Sequence, residues 1–238
     1  MNLLHRRKFL LRALAMGAIT PLAACNYEDP AHPDLADKFL HMMSSWNDRV
    51  QQALFNPHTL APTFRPDQIT NPPRFNAFYD ISQVTVIDPA TYQLQLGGQI
   101  RDKTPWTLAA LNALPQEQQI TRLVCVEGWR VIGQWGGVRL SEFLRHVGAD
   151  TTCKYVSFQC ADGYYSSIDM ESALHPQTIL ALSFLKAPLT PPFGAPVRLR
   201  IPTKLGFKNP KSLVQLAVTN VYPGGYWEDQ GYNWFSGS

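Results

Sequence analysis

Apolar residues recur at helical spacing near the start of the chain. Leu35, Phe39, Met42, Met43, Trp46, Val50 and Leu54 fall on one stripe, and Asp37, Lys38, Asp48, Arg49 and Gln51 fill the other face. The spacing predicts a helix of about five turns, packed by that stripe on the main domain or docked by it to a partner. Prolines at 57, 62, 66, 72 and 73 then exclude helix from the segment 57–73, which reads as extended. Tyr92, Leu94 and Leu96 alternate through 92–100, as a half-buried strand does. A short helix is expected over 107–114, after Pro105, and a strand over 121–127 that ends at Gly128. Leu140, Phe143, Leu144 and Val147 make one face of a short helix that Gly148 stops. Three more alternating sets predict strands: Val156, Phe158 and Cys160; Val197, Leu199 and Ile201; and Val214, Leu216 and Val218. Strands and short helices mix without a βαβ rhythm, so the class is α+β. No internal repeat or low-complexity segment stands out.

The N-terminus changes the picture. His5-Arg6-Arg7-Lys8-Phe9-Leu10 is a twin-arginine pattern, and an uncharged, mostly apolar stretch from Ala13 to Ala24 follows it. Leu22-Ala23-Ala24-Cys25 then fits a bacterial lipobox, with Cys25 as the lipidated residue. The expected organisation is a signal peptide over 1–24, a tether and amphipathic helix over 25–60, and one domain over 61–238. This implies an exported, periplasm-facing protein held to a membrane by acyl chains. The twin-arginine route carries folded proteins, which suits a cofactor taken up before export.

Charge and cysteine usage narrow the function further. The leader holds Arg6, Arg7, Lys8 and Arg12, and removing these four charges from the formal +3 leaves about −1. No basic tail or run points to nucleic acid. No later stretch approaches the roughly 20 apolar residues of a membrane span. Four cysteines are present. Cys153 and Cys160 bracket an expected strand, whose length of about 23 Å exceeds the roughly 7 Å reach of a disulfide, so no bond between them is expected. Cys125 has no second Cys or His within four residues, which does not suit zinc. A lone cysteine fits a metal held mostly by its cofactor, a nucleophile, or a core position.

Two stretches decide between these readings. Leu123-Val124-Cys125-Val126-Glu127-Gly128-Trp129, with Trp135 shortly after, and Leu205-Gly206-Phe207-Lys208-Asn209-Pro210-Lys211 together resemble the sulfite oxidase superfamily of molybdenum enzymes. The likeness covers roughly Arg65 to the C-terminus. It is nearest to the type of the periplasmic methionine sulfoxide reductase catalytic subunit and its short relatives. It implies a sulfite-oxidase-type molybdopterin-binding domain of mixed β-sheets with short helices, and no C-terminal immunoglobulin-like domain. It also implies a molybdenum–molybdopterin cofactor with Cys125 as the protein's ligand to the metal.

Further residues carry over by the same resemblance. Asn76, Tyr79 and Asp80 of Asn76-Ala77-Phe78-Tyr79-Asp80 match cofactor contacts, and Arg198 matches within Gly194-Ala195-Pro196-Val197-Arg198. Lys208, Asn209, Pro210 and Lys211 form the loop that receives the pterin's phosphate end, where backbone N–H groups and cationic side chains bind an anion. Cys160 stands where the family has a threonine contact, and Phe193 replaces an asparagine. Tyr164, in Asp162-Gly163-Tyr164-Tyr165, matches a tyrosine beside the metal or else sits in a simple β-turn. His175-Pro176 matches a family motif and reads as a hinge at a helix start. The aromatic tail from Tyr222 to Phe235 walls a substrate funnel or packs as a closing segment.

Sulfite oxidases carry a sulfite-binding arginine near the segment that here reads Tyr79-Asp80. An acid there repels a dianion, which favours a neutral oxide such as a sulfoxide as the small-molecule substrate. The chain lacks a Cys-x-x-Cys-His haem motif, so its electrons are expected from a membrane haem protein or a cytochrome. The expected form is monomeric. A sulfur-compound oxidase of the same fold, or a cofactor-binding lipoprotein without catalysis, are the competing readings.

Overall fold

A computed structural model describes residues 35–77 and 79–237. The twin-arginine segment, the lipobox with Cys25, and Phe78 lie outside the described residues. The chain groups into a unit through Met43 and a second from Ser44 onward. The helix α1 (Leu35–Leu54) forms over the expected span. Its apolar stripe does not bury, however: Trp46 and Leu54 are exposed. The helix instead meets the rest of the second unit through Asp48 and Gln51, which accept hydrogen bonds from backbone N–H groups of the C-terminal segment.

Two five-stranded sheets build the second unit. One has the order β2 (Trp106–Thr107), β1 (Gln93–Gly98), β10 (Leu213–Thr219), β5 (Tyr155–Cys160), β6 (Tyr165–Asp169). Only the β1–β10 pairing within it is parallel. The other runs β3 (Glu117–Val124), β4 (Arg130–Arg139), β7 (Ile179–Phe184), β8 (Ala187–Pro188), with β9 (Arg198–Arg200) also paired to β7. Three short helices, α2 (Leu108–Asn112), α3 (Leu140–His146) and α4 (Met170–Leu174), cover the ends. The Thr107 hydroxyl caps α2 by accepting from the Ala110 N–H. Asp169 does the same for α4 through Ser172.

The main core draws on both sheets: Leu94 and Leu96 of β1, Val156 and Phe158 of β5, Leu216 and Val218 of β10, Leu180 and Leu182 of β7, and Phe143 and Leu144 of α3. Ile179, Ala181 and Phe184 of β7 turn to a second cluster around Trp135. Both faces of β7 are therefore covered, which erases the alternation that marks a half-buried strand. The same applies to β9, where Arg198 and Arg200 are as buried as Val197, Leu199 and Ile201. In β10 a register shift between Leu213 and Gln215 leaves Leu213 fully buried and Val214 only partly so, contrary to the expected Val214 face. The strand expected over 121–127 begins earlier, at Glu117, and stops before Cys125. His175 follows α4 as its C-cap rather than opening a helix, and its ring bonds the Thr59 carbonyl.

Candidate functional site

The β3–β4 hairpin ends in the loop 125–129. The Cys125 N–H donates to the Trp129 carbonyl at 2.9 Å and the Gly128 N–H to the Cys125 carbonyl at 3.1 Å. Gly128 takes a φ of 87°, which favours glycine. This closure holds the half-buried Cys125 thiol at the hairpin tip. A second tip comes from the other sheet. Between β5 and β6, Asp162 accepts from the Tyr164 N–H at 3.0 Å. The two tips, the loop 206–211, the segment 74–79 and two tail aromatics enclose a cavity of about 280 Å³. Gly206 packs close to the Cys125 tip: a Cβ there would stand 3.2 Å from the Leu123 side chain and 3.6 Å from the Cys125 Cα.

Of the residues expected at the site, Asn76, Tyr79, Cys125, Tyr164, Asn209, Pro210 and Lys211 line this cavity. Asp80, Cys160, Arg198 and Lys208 do not. Asp80 is exposed and caps a 3-10 turn by accepting from Ser82. Its carboxylate stands outside the cavity lining. The acids in the lining are Glu127 and Asp162. Cys160 is buried in the main core, which raises its thiol pKa. Lys208 is fully buried and pairs with Glu228 at 2.5 Å. Arg198 is also buried, and its guanidinium donates to the Phe193 and Asn209 carbonyls, each at 3.1 Å. Phe193, in place of a polar contact, stacks on Phe184 at 4.8 Å.

The Tyr164 hydroxyl donates to the Phe207 carbonyl at 2.7 Å. That bond ties the second hairpin tip to the loop 206–211, so its proton is directed at backbone. Burial holds the phenol well above its ordinary pKa. Tyr79 donates to Asp162 at 3.0 Å, and burial together with that carboxylate pushes it up to about 12. Lys211 donates to the Asn76 carbonyl at 2.5 Å and the Pro192 carbonyl at 2.9 Å. Burial, then repulsion from Arg198, lowers its pKa to about 7, against a smaller opposing pull from Asp162. For Cys125 burial dominates and raises the thiol pKa, while the Val126 and Glu127 N–H groups and Arg74 pull the other way.

Several lining residues carried no clear signal in the sequence. Arg74 stands 4.5 Å from the Trp129 ring centroid, and the Trp129 indole donates to Glu127 at 2.6 Å. Only the proline pair before Arg74 and Phe75 hinted that this stretch is held extended. The aromatic tail splits between its two expected roles: Trp227 and Tyr232 line the cavity, whereas Trp234 and Phe235 are packed inside.

Residues 81–227 match the family model described as the oxidoreductase molybdopterin binding domain. The chain belongs to that family. It is a molybdopterin-binding oxidoreductase of the sulfite oxidase superfamily. Among its relatives is a putative protein-methionine-sulfoxide reductase subunit YedZ1 of Azospira oryzae, 52% identical over 98% of this chain and 88% of the relative. Another is the protein-methionine-sulfoxide reductase catalytic subunit MsrP of Xanthomonas axonopodis pv. citri, 29% identical over 97% of this chain and 76% of the relative. The fold also resembles a solved structure, the sulfane dehydrogenase SoxCD from Paracoccus pantotrophus. That match has a TM-score of 0.56 at 16% identity and covers 87% of this chain and 59% of the other. The α+β class expected from the pattern is the class observed.

One part-buried charge of this oxidoreductase, Lys211, lines the cavity and suits an anionic cofactor, whereas the buried Arg198 and Arg200 lie outside the lining. Arg198, Arg200 and Lys211 direct their hydrogen bonds to carbonyl, amide or hydroxyl oxygens. Arg200 Nε and the Trp135 indole N–H are buried without a partner among the described residues. Uncompensated cations of this kind are costly unless an anion arrives.

Proposed function

We propose that this oxidoreductase transfers an oxygen atom at a molybdenum centre ligated by Cys125, and that it reduces a sulfoxide. The observation that carries this reading is the convergence of the Cys125 hairpin tip and the 206–211 loop on one cavity. Cys125 would hold the metal. Lys211, Asn76, Tyr79 and the backbone of 206–211 would hold the pterin and its phosphate end. When bound, the cofactor supplies the two-electron change that makes or breaks the bond between substrate and oxygen.

The chain's own residues perform the remaining work. Trp129, Trp227 and Tyr232 line the cavity with aromatic surface. Tyr164 braces the loop through Phe207. Tyr79 keeps its proton at neutral pH and so remains a donor to Asp162. Reduction of a sulfoxide takes up two electrons and two protons and releases water. The names of the relatives in Azospira and Xanthomonas support protein-bound methionine sulfoxide as the substrate. We place the enzyme outside the inner membrane, exported by the twin-arginine route, anchored through Cys25, and supplied with electrons by a membrane haem protein or a cytochrome.

The test is the full chain, made with its leader in a host that synthesises the cofactor. Reduced dye should be oxidised when a sulfoxide is added. Sulfite-driven reduction of an acceptor, with no sulfoxide activity, would reverse the assigned direction.

A further inference from the structure

Helix α1 docks with its polar side. Asp48 accepts from the backbone N–H groups of Trp234 at 3.3 Å and Phe235 at 2.7 Å, and Gln51 accepts from Gly237 at 3.2 Å. Phe55, just past the helix, meets Phe235 edge-on at 5.5 Å. At about 100° per residue, Asp48, Gln51 and Phe55 share one side, and Phe39, Met42 and Trp46 share the opposite side. Those three are 56%, 58% and 58% exposed, and Leu40 and Met43 beside them are exposed as well. A contiguous apolar face of this size marks an interaction site.

We propose that this face lies in the interfacial layer of a lipid bilayer, with α1 parallel to the membrane plane. The chain before the helix names the occupant. Cys25 stands in a lipobox, and only residues 26–34 separate it from Leu35. Fully extended, those nine residues span at most about 32 Å, so an acylated Cys25 keeps α1 close to the lipid surface. The charges on the helix agree. Lys38 and Arg49 are exposed and flank the apolar stripe, whereas Asp48 is turned to the protein. Lysine and arginine in this position lay their stems along apolar surface and put their heads among headgroup phosphates. No helix among the described residues is long and apolar enough to cross a membrane, so α1 lies on the bilayer rather than through it. The inference rests on the lipoprotein reading and adds a second membrane contact.

The experiment uses the cofactor-loaded full chain bound to protein-free vesicles of phosphatidylcholine and phosphatidylglycerol brominated in their acyl chains. The Trp46 share of the emission is taken as the native chain minus Trp46→Phe. It should shift to the blue and fall at least twofold through bromine quenching, and Met42→Glu should relieve the quenching. Both substitutions lie away from the cavity, so turnover with a soluble dye should stay unchanged. Unquenched Trp46 on vesicles that retain the protein in a Cys25-dependent way overturns the proposal and leaves the anchor standing. If the chain with Cys25 intact does not stay on vesicles and Trp46 is unquenched, both fall. Quenching that appears only when host membrane proteins share the vesicles assigns the face to a protein and likewise overturns the lipid proposal.

Discussion

Lys211 is a cation whose two hydrogen bonds go to backbone carbonyls. Its folded pKa of about 7 lies below the ordinary 10.5. Between those values the unfolded chain holds the proton and the folded chain does not. In the cofactor-free protein this residue therefore makes stability rise with pH across that window, and the penalty is complete below about 7. Denaturant titration should show Lys211→Met more stable than the native apoprotein at pH 6.5, with the gap closing by pH 10. In the loaded protein the order should reverse, because the phosphate end loses a charge partner. Lys208 behaves differently, since Glu228 already balances it at 2.5 Å. Glu228→Gln should cost about 3 kcal/mol by leaving a buried charge unpaired, whereas joint replacement with Lys208→Met should recover most of that loss. The sequence marked Lys208 and Lys211 as equivalent members of one loop. Their separate tasks depend on Glu228, twenty positions further on, which no local pattern could reveal.

At the scale of elements, the site depends on two hairpin tips meeting one loop. Gly206→Val should push the loop away from Leu123 and the Cys125 backbone. Pterin retention after gel filtration should fall at least tenfold, while circular dichroism of the two sheets stays native. The elements legible in the sequence were those with one covered face: β1, β5, α2 and α3 stand close to their expected positions. Strand β7 was illegible because both its faces are buried, and β4 because Gly133, Gly136 and Gly137 interrupt its apolar alternation. Those glycines have a packing reason. A Cβ at Gly137 would meet the Leu180 carbonyl at 2.0 Å, so the close β4–β7 approach excludes any side chain there. For α1 the pattern gave the helix but not the cover of its stripe, where Trp46 and Leu54 are exposed, because hydrophobic spacing shows that a face seeks cover without showing what covers it.

For the whole molecule, buried positive charge links folding to cofactor binding. Arg198, Arg200 and Lys211 are desolvated without an acidic hydrogen-bond partner, and Lys211 lines the cavity, so a group bound there that neutralises it in the folded state alone must raise stability. Scanning calorimetry of loaded and cofactor-free chain should show a higher transition temperature for the loaded form. The motif residues around Cys125 and the 206–211 loop were readable because chemistry fixes their local order. Arg74, Trp227 and Tyr232 reach the same cavity from distant segments, and the fold alone brings them there.

The proposed oxygen transfer depends on a bond between Cys125 Sγ and molybdenum. Molybdenum K-edge X-ray absorption on the loaded native chain and on Cys125→Ser tests it most directly. The serine variant should fold, lose turnover and show one sulfur fewer among the atoms bonded to the metal. An identical sulfur shell in both proteins, or a loaded native chain free of molybdenum, would contradict it.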